Sequence, residues 1–224
     1  MTSSSYSGDD WVLVVGGSRG IGAACAKREA RRGHAVVITF RDAIESARQV
    51  CGETLDSGAP WSRALPLDLD DPMQCSADVD SLVREYGPPR GLVLSAAHLL
   101  RSSLRETSVE EFGAELRTNC TSQFAIAKAC GLPMYANGSG SIVFLSSVIG
   151  PFGVADRVAY ATSKAGLIGL TRSLAVELAP YVRVNALLLG TFATDITSAL
   201  QSDRAQLGAL VFVEPTDRRG PQPV

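Results

Sequence analysis

Short apolar runs recur along the chain, and each is followed by a longer stretch with apolar residues at helical spacing. The runs at 11–15, 35–39, 61–67, 91–95, 141–146 and 182–188 are brief and mostly rich in Val, Ile and Leu, so they read as strands. The stretches at 21–32, 43–55, 72–86, 109–116, 120–135 and 158–178 read as helices. Gly33 closes the first helix, Pro72 occupies a first-turn position that tolerates proline, and Pro180 stops the last. Continuous apolar strands alternating with helices are the mark of a parallel sheet covered on both faces. The pattern predicts one doubly wound α/β domain that binds its ligand at the carboxyl ends of the strands.

The first strand runs into Gly16-Gly17-Ser18-Arg19-Gly20-Ile21-Gly22. Gly16 permits a tight turn, and Gly20 and Gly22 let a pyrophosphate and the strand approach the helix backbone. The helix N-terminus then presents N–H groups and a positive dipole end to the phosphates. A glycine cluster between the first strand and the first helix is the context a Rossmann-like dinucleotide site requires. Selectivity between the two dinucleotides is read at the end of the second strand, where an acidic residue favours NAD. Here Phe40-Arg41 stands there and Asp42 comes later. Arg41 can fork onto a 2′-phosphate, with Arg19 nearby in the loop, so NADP(H) is the expected cofactor.

Composition narrows the function classes. Of 224 residues, 46% are hydrophobic and 20% charged, and the net charge is −2. Disorder and an electrostatic nucleic-acid binder are both disfavoured. No apolar run is long enough to span a membrane, and residues 1–10 are polar, unlike a signal peptide, so that segment is expected as a disordered tail. Cys25, Cys51, Cys75, Cys120 and Cys130 are odd in number and form no CxxC pair. They read as free thiols of a cytoplasmic protein without a metal site.

Tyr160 and Lys164 stand four apart near the start of the last helix and so share a face. A free phenol titrates near 10, and bringing it to about 7 takes roughly 4 kcal/mol. One ammonium about 4 Å away supplies that amount at an effective dielectric of about 20. Ser147 closes the fifth strand, where its hydroxyl can meet a substrate carbonyl.

With these stretches in place, the chain resembles the short-chain dehydrogenase/reductase family, and is most similar to its 3-oxoacyl-[acyl-carrier-protein] reductases. The likeness rests on Gly16–Gly22, Leu67-Asp68-Leu69, Arg117-Thr118-Asn119, Ile142–Ser147, Tyr160–Gly166, Val182–Ala186, Gly190 and Thr194-Asp195. It implies a catalytic set of Asn119, Ser147, Tyr160 and Lys164. Tyr160 would be the general acid in reduction, and Lys164 would lower its pKa and bind the nicotinamide ribose. Ser147 would polarise the carbonyl, and Asn119 would hold a water leading to solvent. The implied cofactor set is Gly16, Ser18, Arg19, Gly20, Ile21, Gly22, Arg41, Asp68, Leu69, Ala96, Tyr160, Lys164, Gly190 and Thr194. Asp68 would meet the adenine amine and Thr194 the carboxamide. The expected reaction is NADPH-dependent reduction of a ketone, such as a 3-oxoacyl thioester, in a homodimer or homotetramer.

The chain also departs from the family pattern. Val15 stands for a threonine that braces the glycine turn, so a weaker loop is expected. Ser95-Ala96-Ala97-His98 stands for Asn-Asn-Ala-Gly, removing amides that tie the fourth strand to its neighbours. His98 reads as a residue packed at a strand end, with a second base as the alternative. Leu188-Leu189-Gly190 stands for Ser-Pro-Gly. The catalytic domain is expected over 11–197, a substrate lid over 198–213 and an irregular Pro-rich tail over 214–224. That leaves six strands, with the family's seventh missing and the sixth an exposed edge unless a partner chain or the tail covers it. Two other functions stay open: a cofactor-binding regulatory or structural subunit with little catalysis, and an NAD-dependent alcohol dehydrogenase.

Overall fold

The computed structural model describes residues 10–190. The expectations for the tail before residue 10, for Thr194, for the lid at 198–213 and for the tail at 214–224 lie outside the described residues. Among the described residues there are six strands: β1 (Trp11–Val15), β2 (Ala35–Phe40), β3 (Ser62–Pro66), β4 (Gly91–Leu94), β5 (Gly140–Ser147) and β6 (Val182–Leu189). They form one sheet in the order β3-β2-β1-β4-β5-β6, and every pairing is parallel. The chain winds outward from β1 to β3, then crosses back to β4. That reversal opens a crevice between the carboxyl ends of β1 and β4, the place where such sheets bind ligands.

All five residues of β1 are buried, which is why its sequence is apolar without alternation. Its side chains still point to opposite faces. Trp11, Leu13 and Val15 join Leu92, Ile142 and Phe144 in a core with α3 (Pro72–Tyr86), α5 (Ser122–Ala136) and α7 (Val158–Glu177). Val12 and Val14 join Val36 and Ile38 in a second core with α1 (Gly20–Ala30) and α2 (Ile44–Asp56). On this second face, the half of the sheet over β4–β6 is less covered among the described residues. Val93, Val143, Asn185 and Leu187 are only partly buried there, and Arg183 is exposed.

The helix starts follow local chemistry. Asp71 caps α3 by accepting the N–H groups of Met73 and Gln74 at 3.1 and 3.0 Å, with Pro72 in the first turn. Ser108 and Glu111 form a reciprocal capping box at α4 (Val109–Leu116). The sequence pattern places a break between the fourth and fifth helices. Instead a π-turn at Arg117–Thr121 joins them into one helical run. The short α6 (Ile149–Phe152) carries no sequence signal long enough to read. All five cysteines are free, as expected. No helix among the described residues is long and apolar enough to cross a membrane.

Phe144 has no exposed surface at the centre of β5. Phe144→Ala is expected to destabilise the domain by about 3–5 kcal/mol, from lost transfer energy plus the cavity left behind. Equilibrium denaturant unfolding measures this, and a loss below 1 kcal/mol would place the core elsewhere.

Candidate active site

The glycine turn takes its shape from two close approaches. Gly16 has φ +76°, and a Cβ there would lie 2.7 Å from the Ala96 Cα. A Cβ on Gly22 would lie 2.1 Å from the Gly16 carbonyl oxygen, so the first turn of α1 seats directly against the loop. Gly20 has φ +56°. No side chain caps α1 at Arg19, and its first turn carries no acidic residue. That end of the helix is left to an anionic ligand. The brace that Val15 cannot give, having no hydroxyl, comes from another strand. Thr39 on β2, 2% exposed, supplies the brace from the neighbouring strand. Its hydroxyl accepts the Gly16 N–H at 3.0 Å and its carbonyl accepts the Gly17 N–H at 3.0 Å.

A groove of about 730 Å³ runs from this turn across the strand ends. Among the predicted cofactor residues, Gly16, Ser18, Arg19, Gly20, Ile21, Arg41, Asp68, Leu69 and Ala96 line it. Gly22 lies beneath the turn, and Gly190 follows β6 at the end of the described residues. The uncapped helix end, the glycine cradle and the guanidinium groups of Arg19 and Arg41 fit a dinucleotide with its phosphates at α1. Arg41 donates from Nε to Asp42 at 2.8 Å, both side chains being exposed. This hydrogen bond and the charge of Asp42, with smaller contributions from Asp68 and Asp70, hold the guanidinium above its ordinary value. The Asp68 carboxylate accepts the Asp70 N–H at 3.0 Å.

None of the four predicted catalytic residues lines the groove; Asn119 is tied to its wall through His98, and the other three lie near one another at the end of β5 and the start of α7. Asn119, fully buried in the π-turn, accepts the His98 N–H at 2.8 Å and donates to the His98 carbonyl at 2.8 Å. It also donates to Ser163 Oγ at 3.1 Å, and Ser163 donates to the Tyr160 carbonyl at 2.8 Å. Since His98 lines the groove, Asn119 connects the groove wall to the helix carrying Tyr160 and Lys164. Ser147, 7% exposed at the end of β5, accepts the Ile149 N–H at 3.2 Å and donates to the Leu189 carbonyl at 3.4 Å, and its hydroxyl lies close enough to the Tyr160 phenol to influence it. Lys164 is 3% exposed, and its Nζ donates to the Leu145 carbonyl at 2.8 Å.

The electrostatics differ from the simple expectation. Burial pushes the Tyr160 phenol above its ordinary value; the Ser147 hydrogen bond opposes this, Glu115 adds to it and Arg157 opposes it. The Lys164 ammonium is turned to a carbonyl and lies 5.6 Å from the centre of the phenol ring. Burial pulls Lys164 itself down to about 8, against the charges of Glu115 and Cys120, which raise it.

Sequence reasoning missed a polar face. Glu115, Asn119, Ser122 and Gln123 follow the i, i+4, i+7, i+8 spacing of an inward helical stripe, and each is at most 1% exposed. Gln123 donates to the Ala96 carbonyl at 2.9 Å and Ser122 to the Leu69 carbonyl at 2.6 Å. These bonds, with those of Asn119, supply the ties that the Ser95–His98 segment lacks in its own side chains. His98 is not packed inside: its side chain is 58% exposed and its Nδ1 meets the buried Glu115 carboxylate. The spacing was visible in the sequence, but a polar stripe ordinarily reads as a solvated face.

The family model described as short chain dehydrogenase matches residues 10–205. The chain is 35% identical over 211 residues to the 3-oxoacyl-[acyl-carrier-protein] reductase MabA of Mycobacterium tuberculosis, covering 93% of this chain and 79% of that one. Its fold is similar to a short chain dehydrogenase from Burkholderia cenocepacia solved in complex with NADP. That likeness has a TM-score of 0.78 and 33% identity, over 84% of this chain and 76% of the other. It is also similar to an NAD+-bound xylitol dehydrogenase, with a TM-score of 0.75 and 30% identity, over 80% and 69% of the two chains.

The Thr39 brace is directly testable. Thr39→Val keeps the shape but leaves the Gly16 N–H without its acceptor, and is expected to cost about 1–3 kcal/mol. Dinucleotide affinity should weaken in parallel, while Thr39→Ser should retain both properties. Thermal melts with fluorescence titration of the dinucleotide measure this; a Val variant equal to the parent would show that the turn holds without the hydroxyl.

Proposed function

The chain belongs to the short-chain dehydrogenase family, and from that premise we propose that it is an NADPH-dependent carbonyl reductase acting on a ketone of the 3-oxoacyl thioester class. The observation that carries this reading is that Ser147 at the end of β5 lies close enough to the Tyr160 phenol to influence it, while the Lys164 Nζ sits 5.6 Å from the centre of the same ring. The bound dinucleotide supplies the hydride. Tyr160 holds the proton that the substrate oxygen takes up, and the upward push of burial keeps that proton in place at neutral pH. Ser147 orients the carbonyl toward the phenol. Lys164 binds ribose hydroxyls, and Asn119 fixes the loop wall against the Tyr160 helix. Asp68 and the Leu69 backbone meet the adenine, and Arg41 meets the 2′-phosphate.

The identity to the mycobacterial reductase supports the thioester substrate, and the NADP complex supports the cofactor. Free cysteines support a cytoplasmic setting. The partly exposed apolar side chains of Phe124, Leu132 and Tyr135 on α5 support a homo-oligomer. One observation favours a second reading, an NAD-dependent alcohol dehydrogenase. The Arg41–Asp42 pair puts a carboxylate beside the guanidinium that would read the 2′-phosphate, and the xylitol dehydrogenase neighbour carries NAD+.

Tyr160→Phe should abolish ketone-dependent NADPH oxidation, by at least about a hundredfold, while leaving dinucleotide affinity near that of the parent. Steady-state assays on ketones and 3-oxoacyl thioesters with equilibrium dinucleotide binding measure both, and retained turnover would sink the assignment. Arg41→Asp should shift the ratio of NADPH to NADH affinity at least tenfold toward NADH, through lost pairing and added repulsion. An unchanged ratio would favour the second reading.

A further inference from the structure

The proposed reduction leaves His98 without a task, although the fold holds this exposed residue at three points. Asn119 accepts the His98 N–H at 2.8 Å and donates to its carbonyl at 2.8 Å. The third point is the ring. Nδ1 meets Oε2 of Glu115, one helical turn before Asn119 on the same inward face. Glu115 is 1% exposed, and its other oxygen accepts the Leu100 N–H at 3.2 Å and Asn119 Nδ2 at 3.0 Å. Donors surround this carboxylate, so the ring faces it with an Nδ1–H. Nδ1 is thereby turned inward. The 58% exposure of the side chain falls on the far side of the ring, which carries Nε2. An exposed side chain ordinarily exchanges among rotamers, whereas this one presents Nε2 in a set direction, and such preorganisation favours binding.

The exposed edge belongs to the groove wall, which His98 lines with Arg101 after β4. This wall is packed onto the glycine turn. The Ser95 and Ala96 N–H groups both donate to the Val15 carbonyl at 3.0 Å, and a Cβ on Gly16 would lie 2.7 Å from the Ala96 Cα. His98 follows Ala96 by two residues, so its Cα is within about 7 Å of a residue that touches the turn. Charge divides the groove. Its carboxylates, Asp42, Asp68 and Asp70, come from the ends of β2 and β3, whereas the β4 side supplies His98 and Arg101. We propose that His98, oriented by Glu115, is a further dinucleotide-binding residue whose Nε2–H donates to the linking phosphates at the glycine turn. With Nδ1 donating to Glu115 and Nε2 to phosphate, the bound ring is an imidazolium between two anions, with a charge-assisted hydrogen bond on each side. The turn and the uncapped end of α1 meet the phosphates from one side, and His98 meets them from the β4 wall. Glu115 acts through the ring and is a positioning residue. The proposal rests on the dinucleotide reading of the groove and deepens it.

The test is equilibrium binding of three probes to the full chain: NADPH, ADP, which keeps two linked phosphates, and adenosine 2′-monophosphate, which lacks them. His98→Ala should weaken NADPH and ADP at least about tenfold, through loss of one charge-assisted hydrogen bond, and leave adenosine 2′-monophosphate within about twofold. Equal weakening of all three probes overturns the proposal, because the residue would then act through the shape of the groove. Unchanged affinity for NADPH and ADP overturns it too. Glu115→Gln should weaken NADPH by a smaller factor and add little in the His98→Ala background, since it acts through the ring. An equal loss in both backgrounds overturns the positioning role. The ring itself is read from the ¹⁵N resonances of His98, identified by their loss in His98→Ala. Nδ1 should carry a proton with and without ligand, and the Nε2 resonance should move to that of a protonated, hydrogen-bonded nitrogen when ADP binds. An Nε2 resonance that saturating ADP leaves unmoved overturns the contact. Should Glu115→Gln fail to fold, His98→Ala, at an exposed position, decides. A parent that binds neither NADPH nor NADH would overturn the dinucleotide reading itself, whereas a parent that binds NADPH no better than His98→Ala does overturns this proposal alone.

Discussion

Stripping an ammonium of its water costs several kcal/mol, and Lys164 is stripped to 3% exposure. Much of the site can be understood as the response to that one cost. The Leu145 carbonyl, near the end of β5, accepts from Nζ, and Ser146 next to it donates to the Lys164 carbonyl at 2.8 Å. The strand end and the helix are therefore locked to each other at the lysine's own residue. Ser147 is the next position along β5, so the same register that satisfies the ammonium brings the serine hydroxyl to Tyr160. The tyrosine, one helical turn before Lys164, has little freedom to be anywhere else.

The strand ends pose a related problem. A parallel sheet stops where its loops begin, and the loop carbonyls and N–H groups beside a groove still need partners. In this chain the partners come from one helical face. Glu115, Asn119, Ser122 and Gln123 reach Leu100, His98, Leu69 and Ala96 in turn. Thr39 does the same for the glycine turn from β2. The departures at Val15 and at Ser95–His98 thus cost less than local inspection suggests, since the bonds are made from other elements. Each such bond contributes about a kcal/mol when formed and more when broken, because the orphaned group is buried.

This explains what could be read from the sequence and what could not. The six strands, their parallel arrangement and the glycine turn were legible because they depend on periodicity and on residue types within one βα unit. The spacing of Tyr160 and Lys164 was legible for the same reason. Thr39 was not, because its partner Gly16 lies 23 residues away and only strand pairing brings them together. The Asn119–Ser163 bond spans 44 residues. Glu115 was hidden differently. A glutamate in a helix with Glu110 and Glu111 nearby looks like solvated surface, yet it points inward while Glu111 caps the helix.

The π-turn shows why the catalytic neighbourhood resists purely periodic reading. A π-turn takes one residue more than an α-turn before its hydrogen bond closes, so the faces of α4 and α5 are rotated relative to a continuous α-helix. The insertion falls at Arg117–Thr121, around Asn119 itself. It lets Asn119 address the His98 backbone and Ser163 together, while Ser122 and Gln123 still face the strand ends. A regular helix has one inward direction per turn, whereas this stretch must satisfy α7 and two strand-end loops at once. Such bulges are frequent at functional sites, and the hydrogen bonds here supply the reason: the π-turn is the local geometry that joins the groove wall to the helix of Tyr160 and Lys164.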